Sequence, residues 1–348
     1  MGYVSFASDY QQGCHPAILR RMVEGNMECH AGYGADDVCE SARGRIREAC
    51  ACPSAAVHFL AGGTQANMVV LDALLAPWEG VVAATSGHVS VHEAGAIEHG
   101  GHKVIELSGE LGKLTAKKVE ACAASWETDD NRDHMVQPGV VYISQPSEYG
   151  TLYSRMELEA ISHVCHEHGM RLYVDGARLA YALGCPANDV TLPDLARLAD
   201  AFYIGGTKCG ALLGEAVVFP NPAICPRFFT QMKQHGALLA KSWLVGMQFD
   251  VLFEGELYEQ VGRAAIVAAD RMRELLAAQG YRLVFGSPTN QIFVELSDDG
   301  VSRLAERVGY SFWEKSDTDH AIVRLATSWA TTEADLDALA AALDEIGH

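Results

Sequence analysis

Two apolar runs in the sequence end on residues that do not belong in a core. "RLYVD" (171–175) closes on Asp175, and "AFYIG" (201–205) leads through Gly206 and Thr207 to Lys208, set among small residues. A carboxylate at the end of a buried strand needs a partner. It either caps the turn "DGAR" or holds a cation, such as a protonated ring nitrogen. A lysine beside apolar strands loses basicity by desolvation, and its neutral amine can then condense with a carbonyl. Taken singly, each residue also has a plain reading: Asp175 as a turn cap, Lys208 as a strand-end cation reaching water.

A third stretch, "LAGGTQAN" (60–67), supplies something for an anion. Gly62 and Gly63 let a ligand approach the backbone, and Thr64 opens a helix whose first N–H groups and positive end favour a phosphate. The turn matches neither GxGxxG nor GxxxxGK[ST], which argues against a nicotinamide dehydrogenase or an ATP site. An acid for a ring nitrogen, an amine for an aldehyde and a phosphate cradle are together what pyridoxal 5'-phosphate requires. Its protonated pyridine ring acts as an electron sink for amino-acid chemistry.

His88, in "GHVSVHEAG" (87–95), stands beyond another strand end, where an imidazole can stack on such a ring and serve as a base. Arg178 follows Asp175 by three residues, and Arg324 lies in "AIVRLATSWATTEADL". Two guanidinium forks suit a substrate carboxylate. Their plainer readings are an ion pair with Asp175 or a helix-start contact for Arg178, and a surface cation on an edge strand for Arg324. His88 and His92 have the i, i+4 spacing of a helical metal pair, and "HVCHEH" (163–168) is histidine-rich, but neither carries HExxH or a four-ligand spacing, so no metal is expected.

These residues need elements to hold them. "AVHFL" (56–60), "GVVAAT" (80–85), "KVIELS" (103–108), "GVVYIS" (139–144), "RLYVD", "AFYIG" and "EAVVF" (215–219) read as strands, and the segments between most of them read as amphipathic helices. "SRMELEAISHVCHEHG" opens on a serine cap and ends at Gly169. That rhythm predicts an α/β fold with a mainly parallel central sheet and helices on both faces, its site beyond the carboxyl ends of the strands. Past residue 228 the texture changes. "FTQMKQHGALLAKSWLVGMQFDVLFEG" and "LYEQVGRAAIVAADRMRELLAAQG" read as long helices, followed by "RLVF", "NQIFVELS", "AIVRLATS" and a last helix capped at Thr331/Thr332. The expected organisation is an N-terminal segment 1–15, a large cofactor-binding domain 16–245 and a smaller C-terminal α+β domain 246–348.

Bulk composition narrows the partners. Over 348 residues the formal net charge is −19, so nucleic acid and anionic membranes are not expected partners. No run reaches the roughly 18 apolar residues of a membrane helix, and the first residues lack the pattern of a signal peptide. The ten cysteines show no CxxC and read as thiols of a reducing compartment, which makes a cytoplasmic enzyme the expectation.

Set in order, these pieces resemble the fold-type I pyridoxal-phosphate enzymes, and within them the L-threonine aldolase and β-eliminating lyase family. The resemblance runs over nearly the whole chain. It is carried by "FASDYQQGCHP", "GYGADD" (32–37), "GGTQAN", the segment around His88, "YVDGARL", "YIGGTK" and "VRLATSWAT". It implies that Lys208 is the Schiff-base lysine, Asp175 the pyridinium partner, Gly63 and Thr64 phosphate ligands and His88 the ring-stacking histidine. Ser8, Arg178 and Arg324 are implied to grip the substrate carboxylate. Tyr33 and Lys233 are implied to complete a site shared between subunits, Lys233 coming from the partner of a homodimer or homotetramer. Two stretches depart from the family pattern. "SQPSEYG" puts Glu148 where many members carry a second histidine beside the substrate side chain, and "ADDVCES" replaces "DDPT". The implied reaction is retro-aldol cleavage of a β-hydroxy-α-amino acid (L-threonine, L-allo-threonine or an aromatic analogue) to glycine and an aldehyde. The alternatives are β-elimination or transamination on the same cofactor, or a non-catalytic small-molecule binding protein on the same scaffold.

Overall fold

Seven strands form the central sheet: β2 (Ala56–Leu60), β3 (Glu79–Ala84), β4 (Val104–Leu107), β5 (Gln137–Ser144), β6 (Arg171–Asp175), β7 (Ala201–Gly205) and β8 (Glu215–Phe219), in the order β2-β8-β7-β6-β5-β3-β4. The structure, a computed structural model, describes residues 3–346. Only β8 runs against its neighbours; the pairs β3–β4, β3–β5, β5–β6 and β6–β7 are parallel. The carboxyl ends of β2, β3, β5, β6 and β7 therefore open on one edge of the sheet, together with the amino end of β8.

Strand alternation sorts the core into two layers. Val141, Ile143, Leu172, Val174, Phe202 and Ile204 pack in one apolar cluster, and Val140, Tyr142, Tyr173, Ala201 and Tyr203 pack in the other. Both faces are covered, which is why the central strands read as nearly continuous apolar runs. Alternation and register also set Tyr142, Tyr173 and Tyr203 side by side on one face, against the helix Gly63–Leu74.

The helix Arg155–Glu167 starts at a reciprocal cap between Ser154 and Glu157, and Gly169 follows it with a left-handed φ of 67°. Close backbone approaches fix the frame. A Cβ on Gly176, just after β6, would lie 2.0 Å from the carbonyl oxygen of Tyr203, and one on Gly262 would lie 1.9 Å from that of Ala180. Only glycine permits these approaches. The first holds the ends of β6 and β7 together, and the second seats the long helix Leu257–Ala278 on the helix Leu179–Leu183.

The remaining strands are β1 (Val4–Ser5), β9 (Gln291–Ser297), β10 (Val308–Gly309), β11 (Ser311–Lys315) and β12 (His320–Ala326). β9, β11 and β12 make an antiparallel sheet in the order β11-β12-β9, backed by the helices Asp298–Leu304 and Glu333–Ile346. The last helix starts at Thr332, which exchanges hydrogen bonds with Asp335. β1 pairs with β10, and Phe6 is buried in the small sheet's core, so the first residues are tied to that unit. The helix Leu257–Ala278 joins both units: Val261, Ala265 and Ile266 lie in the large core, Ala269, Met272 and Leu276 in the small one. The helix Trp243–Leu252, which contains the expected boundary at 245/246, packs on the helix Asp37–Ala49.

Some elements differ from expectation. The stretch from Phe228 to Gly255 is two helices, Phe228–Gln234 and Trp243–Leu252, with Gly236 at φ 67° after the first. The segment after β3 is two single turns, His88–Val91 and Ala96–His99, because Ala94 and Gly95 adopt left-handed φ of 52° and 71°. "RLVF" contributes only an isolated bridge, Leu283–Val294, and the sheet edge is taken by β11. Arg324 consequently sits on the middle strand of its sheet, not on an edge. No helix among the described residues is long and apolar enough to cross a membrane, and all ten cysteines are free.

Candidate active site

The shared strand edge encloses a cavity of about 300 Å³. Each strand end contributes: Gly62, Gly63 and Thr64 after β2, His88 after β3, Ser144 and Glu148 from the end of β5 and beyond, Asp175 and Arg178 from β6 and its turn, Thr207 and Lys208 after β7, and Glu215 at the start of β8. Sequence reasoning named Gly63, Thr64, His88, Glu148, Asp175, Arg178 and Lys208, and the fold brings them all to this one cavity.

Asp175 is buried and surrounded by donors. Tyr203 and Ala177 N–H donate to Oδ1 at 2.5 and 2.9 Å; Tyr142 and Asn67 donate to Oδ2 at 2.6 and 3.0 Å. Burial alone would raise its pKa. The nearby His88 and the bonds from Tyr142, Tyr203 and Asn67 outweigh that and hold the carboxyl below its usual range, so it stays an anion. Asn67 also donates to Glu93 Oε1 at 2.7 Å, and the same oxygen meets His88 Nδ1 at 2.7 Å. With Nδ1 turned to a carboxylate, the His88 ring presents Nε2 as its remaining nitrogen. His88 and His92 have ring centroids 5.7 Å apart, and no group of three or more metal-ligating side chains occurs among the described residues.

Lys208 is half-buried. Burial first, then the Arg178 cation, push it towards the neutral amine, against the pull of Asp9, Asp175 and Glu215. The helix Gly63–Leu74 begins in the cavity wall at Gly62 with no side chain capping its N-terminus. A Cβ on Gly62 would meet nothing within 4 Å, which leaves open space beside those N–H groups. Glu148 Oε1 accepts from the His88 amide at 3.0 Å and from Ser144 Oγ at 2.8 Å; burial raises its pKa.

Arg178 does not pair with Asp175. Its Nε and Nη2 meet the two oxygens of Asp9 at 2.6 and 3.2 Å, and Asn290 donates to Asp9 Oδ2 at 2.9 Å. Arg324 and Ser8 lie outside the residues that line the cavity. Arg324 nevertheless senses the cavity residues Arg178 and Tyr10 electrostatically; burial and then the Arg178 cation lower it to about 10. Its Nη1 donates to Gln291 Oε1 at 3.0 Å and its Nη2 to Ser311 Oγ at 3.2 Å, while buried Nε has no partner among the described residues. Ser8 sits between Ala7, whose carbonyl accepts from Arg324, and Asp9. Tyr33 and Lys233 are together but elsewhere. Lys233 Nζ stands 4.7 Å from the Tyr33 ring centroid, at a surface shared with Gly34, Arg43 and Phe229.

Sequence reasoning missed Asp9, Asn67, Glu93, Tyr142, Tyr203 and Glu215. Asp9, Asn67 and Glu93 lie within quoted motifs, yet their partners are remote in sequence. The tyrosines read as ordinary strand residues. Glu215 had one signal, a charge heading the otherwise apolar run "EAVVF".

The donor set fits pyridoxal 5'-phosphate: a buried anion for the ring nitrogen, a half-buried amine for the aldehyde and an uncapped helix start for the phosphate. The comparisons with known proteins give the family. The β-eliminating lyase family model matches residues 5–295. A low-specificity L-threonine aldolase of Pseudomonas sp. is 31% identical, over 97% of this chain and 96% of its own. The corresponding protein of Pseudomonas aeruginosa is also 31% identical, over 88% of each chain. The solved threonine aldolase of Leishmania major superposes with a TM-score of 0.95 at 43% identity, over 99% of both chains. Aspartate aminotransferase of Thermus thermophilus shares the fold alone, with a TM-score of 0.71 at 16% identity. The chain belongs to the β-eliminating lyase family and has the fold of the type I pyridoxal-phosphate enzymes.

Proposed function

We propose that the cavity holds pyridoxal 5'-phosphate and that the protein cleaves a β-hydroxy-α-amino acid of the threonine type to glycine and an aldehyde. The observation that carries this reading is the pairing in one cavity of an Asp175 kept anionic and a Lys208 driven towards its neutral amine. When bound, the cofactor supplies an electron sink that takes up the charge left on Cα as the Cα–Cβ bond breaks.

The protein's own residues do the rest. Lys208 provides the amine that anchors the aldehyde and returns when product leaves. Asp175, ionised by its donors, keeps the ring nitrogen protonated, which stabilises charge that develops only in the transition state. Gly63, Thr64 and the first N–H groups of their helix bind the phosphate. Arg324, with Ser8 beside it and Arg178 locked by Asp9, binds the substrate carboxylate. His88 stacks on the ring. Its Nε2 takes the β-hydroxyl proton, and Glu93 on Nδ1 steadies the ring as its charge changes. Glu148 borders the place of the substrate side chain. Tyr33 and Lys233 serve the site of a partner subunit, which makes the working form a homodimer or a homotetramer.

A spectrum of the cofactor-loaded protein tests this. Added glycine is expected to produce a long-wavelength absorbance band, and L-threonine or L-allo-threonine to yield glycine and an aldehyde. Ammonia and a keto acid as products would replace aldol cleavage with elimination. A protein that takes up no cofactor would end the proposal.

A further inference from the structure

One buried acid in the cavity has no part in the scheme above. Glu215 is 4% exposed and stands opposite Gly205 on β7 and Leu60 on β2. Its Oε2 accepts the Gly206 amide at 2.9 Å. That places it at the base of the loop that carries Lys208. The loop is closed by Gly206 and Thr207 N–H bonds to the Gly214 carbonyl, at 3.0 and 3.1 Å, and by Gly214 N–H to Thr207 Oγ1 at 3.0 Å. Glu215 and Lys208 line the same cavity.

We infer that Glu215 is the proton partner of Lys208, taking the ammonium proton when the lysine condenses with an aldehyde and returning it when the lysine is released. The inference rests on the cofactor reading above. The step balances. The ammonium gives one proton to the Glu215 carboxylate, and its two remaining hydrogens leave with the aldehyde oxygen as water while nitrogen and carbon form a double bond.

Three carboxylates act electrostatically on Lys208, and two are committed. Asp9 is clamped by Arg178 and Asn290, and despite its burial is held down to about 2. Asp175 has its ring of donors and is also held low. Glu215 has an amide, the Thr207 side chain and Lys208 itself as stabilising neighbours. Burial pushes it up to about 7. The Lys208 cation acts on Glu215, with Asp175 adding a like charge. Once the lysine nitrogen gives up its charge, an ionised Glu215 would be a buried anion without a counter-ion. A phosphate entering the same cavity adds negative charge and pushes in the same direction.

Infrared difference spectroscopy reads this directly. Cofactor-free protein is mixed with pyridoxal 5'-phosphate near neutral pH, and visible absorbance reports uptake. A protonated-carboxyl band is expected to grow in step with the visible band and to shift on labelling with ¹³C-glutamate. It should be lost in Glu215→Gln, whose side-chain oxygen still accepts the Gly206 amide, and persist in Glu148→Gln. Visible uptake by the wild type with no carboxyl band overturns the role of Glu215 alone, whatever the variant does. A band that survives Glu215→Gln also overturns it. A wild type that takes up no cofactor overturns the cofactor reading and this inference together.

Discussion

Asp175 on the large sheet and Arg324 on the small one are charges at or beside the same cavity, the first buried and the second half-buried, yet they are satisfied in opposite ways. Asp175 has donors on both oxygens, at 2.5–3.0 Å, from Asn67, Tyr142, Tyr203 and Ala177. Arg324 has only neutral acceptors, Gln291, Ser311 and the Ala7 carbonyl, and a buried Nε with no partner among the described residues. A charge saturated in advance is fixed in state and position, as a group that tunes a resident cofactor must be. A half-buried cation with neutral partners keeps its strongest interaction for an arriving anion. The large-sheet side is thus suited to a permanent occupant, the small-sheet side to one that comes and goes.

Substitutions on each side test that division. Lys208→Ala carries the largest expected effect: no visible band with cofactor and turnover at background, measured by absorbance and glycine formation. Asp175→Asn comes next. It should still bind cofactor through the phosphate cradle and the lysine, while kcat falls on the order of 10²–10³-fold, the usual cost of removing a group that stabilises developing charge. An Asp175→Asn protein with full activity would remove the contrast between the two sides.

How much of this was readable beforehand follows from the range of the interactions. Asp175 and Lys208 stand at strand ends, and strand ends are visible as breaks in apolar runs. Gly62–Gly63–Thr64 was readable because a turn is local. The ring of donors around Asp175 was not, since Tyr142 and Tyr203 meet it only through cross-strand register, and Asn67 reaches it from a helix 108 residues away in sequence. The partner of Arg178 was out of sight for a related reason: Asp9 is 169 residues distant in sequence. β11 escaped notice because its outward side chains and a bulge near Phe312 and Glu314 blur the alternation.

Arg324→Gln sharpens the small-sheet half of the comparison. Visible cofactor absorbance should be unchanged. KM for the amino acid should rise roughly 10–100-fold, which corresponds to about 1.5–3 kcal/mol for a lost hydrogen bond between charged groups. A variant that loses cofactor while keeping its KM would place Arg324 on the permanent side.

Asp9 ties the two sides together, and its effect is the smallest and the most pH-specific. It follows a segment that pairs with the small unit at β1–β10, and it binds Arg178 beside β6 and Asn290 beside β9. Its folded-state pKa is depressed from 3.8 to about 2, burial being outweighed by Arg178 and Lys208. A depressed carboxyl contributes stability that is fully present above its unfolded pKa and is lost as pH falls through the folded value. Between about pH 4 and pH 2 the wild type should therefore lose about 2 kcal/mol through this group. Asp9→Asn cannot lose that increment, because nothing at position 9 remains to be protonated. Urea midpoints for both proteins across that window measure it as a narrowing stability gap, with contributions from other carboxyls cancelling in the difference. A gap that stays constant from pH 4 to pH 2 would mean that the Asp9–Arg178 clamp does not hold the permanent and the exchanging sides of the cavity in register.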